Sequence, residues 1–183
     1  MLVRLVRLAR LARLARLARP VRPRLVRLVQ GIALLSTGLL AGAFGYGAVN
    51  LVPTFGAVPL ETRLTFHTEL MRMNSPVMQT AMGVAAVGAL ALSVIRVGRE
   101  RLLAAGATAL VAASFLITRF GNVPINARIK EWARTSAPAD HAEVLQRWEM
   151  FNIARTVTAL AAFTLLIALS LVRPARTSRT AAD

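Results

Sequence analysis

The chain has 183 residues, 56% of them hydrophobic, a mean hydropathy of +0.56 and a net charge of +15. That is too apolar for an ordinary soluble domain and long enough for one membrane unit, so a single membrane domain is expected. The arginines sit in a terminal arm and in short segments beside apolar runs, with no basic stripe interleaved with aromatics, which argues against a nucleic-acid partner; the absence of cysteine excludes a disulfide framework, a thiolate metal site and a cysteine nucleophile.

Residues 1–24 form an arginine-rich arm. A three-residue repeat, Leu-Val-Arg or Leu-Ala-Arg, places Arg4, Arg7, Arg10, Arg13, Arg16 and Arg19 at equal steps. On a helix such a stripe drifts by about 60° per repeat, so no persistent apolar face results. The arm reads either as a basic segment held on anionic lipid or as low-complexity sequence without a role. It does not read as a signal peptide, because no uninterrupted apolar core precedes Pro20 and Pro23.

Residues 25–173 are expected to form the membrane domain, with 174–183 as a short tail. Four apolar spans follow one another: 28–49, about 76–95, 102–118 and about 156–172, each near the length that a hydrocarbon core of about 30 Å requires. Gly38, Gly42 and Gly45 recur on one face of the first and predict a seam of close helix packing. Fifteen of the 23 basic residues fall in residues 4–27, the 96–101 hinge and residues 173–179, whereas the other connections hold six of the eight acids. The positive-inside rule then puts both termini in the cytoplasm, with the protein in the cell membrane and its two long connections, about 50–75 and 119–155, outside. The fold expected is all-α: an integral membrane antiparallel four-helix bundle with short interfacial helices on the outer side.

In the first long connection Asn50, Pro53 and Pro59 are expected to end the first helix. Residues 60–74 then carry helical periodicity with Arg63, His67 and Asn74 inside the apolar arc. Polar groups there need partners in the bundle or a wet cavity. His67 is either a site residue or an interfacial histidine bonded to a backbone carbonyl, and Arg63 either a ligand contact or an ion-paired structural residue. In the second connection Asn122 precedes Val123-Pro124, which suits an N-cap, but Asn126 four residues on shares its stripe, and a cap does not explain that. Trp132 reads as an interfacial belt residue, and residues 137–140 as a turn. Trp148, Asn152, Arg155, Ala159 and Ala162 then fall on one stripe of the last helix, large and polar at one end and small at the other. This describes a helix that packs tightly along its length and opens into a polar pocket, or alternatively an anchor tryptophan with interhelical hydrogen bonds.

Asn122-Val123-Pro124-Ile125-Asn126, an aromatic a few residues on, and Trp148-x-x-x-Asn152-x-x-Arg155 leading into a final apolar helix resemble the anthrone-oxygenase-like family of small four-helix membrane proteins. The resemblance spans residues 28 to 173. It implies oxidation of an anthrone to an anthraquinone by molecular oxygen without metal or flavin, and it carries Asn122, Pro124, Asn126, Trp148, Asn152 and Arg155 into the site.

Cofactor-free oxygenation requires a substrate that becomes an enolate or carbanion, a base, donors for the developing oxyanion and a dry aromatic slot. On this reading His67 is the base, Asn122, Asn126 and Asn152 donate hydrogen bonds, Arg155 adds positive charge, Trp148 stacks on the substrate, and Asn74 and Arg63 complete its binding. The expected partners are the lipid bilayer, a lipophilic aromatic or quinone-like molecule and molecular oxygen, with no cofactor. A bis-histidine haem is disfavoured because the only other histidine, His141, lies in a polar segment, and neither metal-ligand spacing nor a glycine-rich phosphate loop is present. The alternative is a non-enzymatic membrane binding or accessory protein whose polar cluster ties the two outer connections together. A cavity with an accessible His67 would favour the enzyme; polar groups bonded to one another with no room between them would favour the tie.

Overall fold

The computed structural model describes residues 22–172; the repeat-bearing part of the arm and the tail beyond 172 lie outside the described residues. Among the described residues all the regular structure is helical: α1 (Pro23–Tyr46), a π-helical turn (Gly47–Leu51), α2 (Val52–Ala57), α3 (Leu60–Ile95), α4 (Gly98–Ile117), a second π-helical turn (Thr118–Asn122), α5 (Val123–Trp132) and α6 (His141–Leu171). Because the two π turns are continuous with their neighbours, the chain forms four helical columns: Pro23–Ala57, Leu60–Ile95, Gly98–Trp132 and His141–Leu171.

The breaks between columns have local causes. Val58 is extended because Pro59 disfavours helical geometry in the residue before it. Arg96 and Val97 are extended, and Gly98 takes φ +57°, a left-handed conformation that suits glycine, to turn the chain into α4. Arg96 holds this hinge closed by donating from Nη1 to Glu100 (2.8 Å) and from Nη2 to Gln30 of α1.

Where a break was expected at Asn50 and Pro53, the column instead continues. Proline lacks an N–H and its ring crowds the carbonyl four residues back; the wider π turn directly before Val52-Pro53 relieves that conflict. The same arrangement recurs at Thr118–Asn122 before Val123-Pro124. Of the helical segments expected beyond the spans, the one after Asn122 is present as α5, a prolongation of α4, and residues 60–74 are the first part of α3; α2, a prolongation of α1, was not expected. The second and fourth spans are likewise parts of longer helices, with Pro76 inside α3.

Each column, at about 1.5 Å per residue, is roughly 46–54 Å long, more than the ~30 Å of a hydrocarbon core. Around the outside, Leu35, Leu39, Val87, Val94, Leu102 and Val157 are more than half exposed. So broad an apolar surface matches lipid better than water, and the chain is a multi-pass membrane protein. The columns run up and down in sequence order, each packing on its two neighbours in the ring α1–α3–α4–α6.

The interior has three apolar layers. At the terminal end Ala33, Leu92, Ala104, Ala107 and Leu166 pack with no exposure, and Gly88 lets α3 approach the backbone of Ala33. Leu40, Phe44, Met82, Val111 and Ala159 make the middle layer. At the distal end Phe55, Ile129, Trp132, Val144, Leu145 and Trp148 form a third core. Two expectations change here. Trp132 is buried in the distal core with Arg128 over its ring (5.2 Å), so it is not a belt residue. Of the three seam glycines only Gly38 is tightly packed, against Phe163; Gly42 and Gly45 face open space.

Gly121, in the second π turn, supports the closest approach of all: a Cβ there would lie 2.6 Å from Cγ of Phe151 on α6. Replacing Gly121 by Ala should cost about 1–3 kcal/mol, read as a lower thermal unfolding midpoint in detergent. An unchanged midpoint would mean that α6 yields freely at this contact.

Candidate functional site

Between the middle and distal layers, flanked by both π turns, lies a cavity of about 410 Å³. The turns contribute Gly47, Leu51 and Thr118, α3 contributes Asn74, α5 contributes Asn126, and α6 contributes Trp148, Asn152 and Arg155. The stripe on α6 is realised as expected: Trp148, Asn152, Ala159 and Ala162 all point inward, with large polar groups at the cavity and alanines in the packed layer below.

Hydrogen bonding fixes how the amides face. Asn126 Oδ1 accepts from Trp148 Nε1–H (2.8 Å) and from His67 Nε2 (3.2 Å). An indole N–H can only donate, so the oxygen must point at Trp148 and His67 must carry its proton on Nε2. The Asn126 amino group is left with only the thioether of Met71, a weak acceptor, at 3.4 Å. In the same way Asn152 Oδ1 accepts from Arg155 Nε–H (2.9 Å) and Nη2–H, which leaves Asn152 Nδ2, in a residue 1% exposed, without a partner. The Arg155 guanidinium lies 4.4 Å from the centroid of the Phe44 ring, and among the described residues no carboxylate forms an ion pair with it. Thr156 Oγ1 donates to the Asn152 and Phe44 carbonyls (2.7 and 3.2 Å), and Ser114 donates to the Arg155 carbonyl (3.2 Å). Together these bonds key α6 to α1 and α4 at this level.

Asn74, Asn126, Trp148, Asn152 and Arg155 therefore line one cavity, while the other three candidate residues lie outside its wall. His67 has no exposed surface: its ring stacks on Phe55 (5.1 Å, 13° between planes) and meets Trp148 edge-on at 4.5 Å. The expectation that His67 meets the substrate as its base is corrected on this ground, since the imidazole lies behind the wall residues Asn126, Phe55 and Trp148. Asn122, also 1% exposed, donates from Nδ2 to the Trp148 carbonyl (3.2 Å) and makes no side-chain cap bond, so it ties the α4–α5 column to α6. Arg63 is buried and paired with Glu149 (2.9 Å), its guanidinium over Phe55 at 5.4 Å. It borders a separate depression beside His141 and is an ion-paired structural residue.

Phe44 and Phe55, which close the cavity and back His67, were not singled out from the sequence. The signal available was the recurrence of Val-Pro at the start of each distal segment, Val52-Pro53 and Val123-Pro124, directly after the π turns that flank the cavity.

Fold and site together define a multi-pass helix-bundle membrane protein with an internal cavity rich in hydrogen-bond donors. The family model described as anthrone oxygenase matches residues 63–165, more than half of the chain, and the protein belongs to that family. The match contains all eight candidate residues and stops short of α1 and α2, a narrower extent than the resemblance from 28 to 173 suggested. No curated protein and no solved structure matches the chain.

Proposed function

We propose that this protein oxidises a lipophilic polycyclic, anthrone-like or quinone-like substrate with molecular oxygen, in the cavity between its middle and distal cores and without a bound cofactor. Supporting this reading is one arrangement above all: Asn126, Asn152 and Arg155 line a space walled by Phe44, Phe55 and Trp148, and the two amide oxygens among them are already taken by Trp148 and Arg155. Such donors stabilise an enolate and the peroxide that follows it. The anthrone carbon gives up its proton to solvent water before the enolate occupies the cavity, and the enolate then transfers electrons to oxygen and forms a C–O bond. The resulting peroxide anion takes a proton back from water, and the hydroperoxide so formed loses water, so one oxygen atom becomes the quinone carbonyl and the other leaves as water. Asn126 is held by His67 and Trp148, Asn152 by Arg155, and Asn74 completes the wall from α3.

The arginine distribution supports a cell-membrane location with both termini cytoplasmic, which places the cavity toward the outer face. One observation favours the accessory-protein alternative: His67, Asn122 and Arg63 are all spent on ties between columns. Oxygen uptake by the detergent-purified protein with a simple anthrone separates the two. Uptake above autoxidation is expected; uptake equal to autoxidation would retire anthrones as substrates and leave the tie as the better reading.

A further inference from the structure

We infer that the cavity binds its aromatic ligand as an oxyanion, a hydroxyarene or enol that is already ionised, rather than as the neutral molecule. This deepens the oxygenase reading and rests on it for the chemistry after binding, though not for the binding itself.

The amide orientations are the first ground. Of the four amides on the cavity wall, Asn126 and Asn152 have their oxygens occupied by groups that can only donate there, the Trp148 indole and the Arg155 guanidinium. What remains for a ligand at these residues is N–H. A donor sealed from water without an acceptor costs about 1–3 kcal/mol, and Asn152 Nδ2, in a residue that lines the cavity, is such a donor; a ligand oxygen met by a small shift of this side chain would satisfy it.

Charge is the second. Arg155 lines the cavity with an amide oxygen and the face of Phe44 as its companions, and no aspartate or glutamate is among the lining residues. A cation in apolar surroundings is offset best by an opposite charge brought close to it.

The third ground is the missing proton acceptor. From α1 the only titratable side chain on the wall is Tyr46; from α6 it is Arg155; α3, α5 and the second π turn contribute neutral groups such as Asn74, Gln79, Asn126 and Thr118. His67 lies behind Asn126 and out of reach. A neutral hydroxyarene would find no base on these walls, whereas its anion would meet a fixed charge and two amide donors. The aromatic walls favour a flat ring.

The test titrates the full-length protein in detergent, under argon, with a nitronaphthol whose hydroxyl ionises near neutrality and whose anion absorbs at longer wavelength. The dye should bind at least about tenfold more tightly than its methyl ether, and its ionisation when bound should move at least about one pH unit below its value in empty micelles. Arg155→Met should abolish that shift and Arg155→Lys should keep most of it, so lost charge is distinguished from lost fold. Equal affinity for dye and ether, or a bound dye that ionises at or above its value in empty micelles, overturns the proposal. With oxygen excluded, the titration is independent of turnover. Anion binding without anthrone-dependent oxygen uptake would sink only the oxygenase reading, and uptake without anion preference only this one.

Discussion

In an Asn126→Asp variant the bundle should stand at least as firmly as in the parent while turnover falls by about two to three orders of magnitude or more. The two exchanged side chains are nearly isosteric. The carboxylate still accepts from Trp148 Nε1–H and His67 Nε2–H, now with charge assistance, so the contact between α3, α5 and α6 is kept. The cavity loses its amino group and gains a negative charge in the same space as Arg155. The donor that would hold the enolate becomes a group that repels it. Thermal unfolding and oxygen uptake on the same preparation provide the check. If Asn126 only ties the columns together, the variant should be as active as the parent, and that result would remove Asn126 from the chemistry.

How legible all this was in the sequence varied with the kind of interaction. The four spans were readable because lipid demands long apolar helices, which composition alone reveals. The α6 stripe was readable because Trp148, Asn152 and Arg155 lie on one helix, where spacings of four and three fix a common face whatever the neighbours do. Arg63 and His67 could be placed inside for the same reason, and both are buried. What each meets there depends on pairing between columns, at separations of 59 residues for His67 with Asn126 and 86 for Arg63 with Glu149. Periodicity within one helix carries no information about that. Pro53 misled because proline usually ends a helix, whereas here it follows a π turn that absorbs the misfit. Trp132 misled because a tryptophan beside a span is as suitable for a distal core as for a lipid interface, and only the existence of that core decides between them.

His67 makes the sharpest test of how the site is built, because truncating it should damage the fold more than the chemistry. His67→Ala deletes a fully buried ring stacked between Phe55 and Trp148 and removes one of the two donors on Asn126 Oδ1. The cavity left behind and the lost hydrogen bond together should cost on the order of 2–4 kcal/mol, read as a lower unfolding midpoint in detergent. Turnover measured well below that midpoint should fall by about tenfold, as Asn126 loses part of what orients it and its misplacement weakens transition-state stabilisation. His67→Gln offers an N–H for the same oxygen and cannot serve as a base near neutrality. It should recover most of that turnover, with a pH profile parallel to the parent's. A base in contact with substrate would behave otherwise: Ala and Gln would each cost about two to four orders of magnitude, and Gln would rescue nothing. With the imidazole sealed behind Asn126, Phe55 and Trp148, recovery by Gln is the expected outcome, since the one hydrogen bond that His67 makes to the cavity wall is the one it gives to that amide.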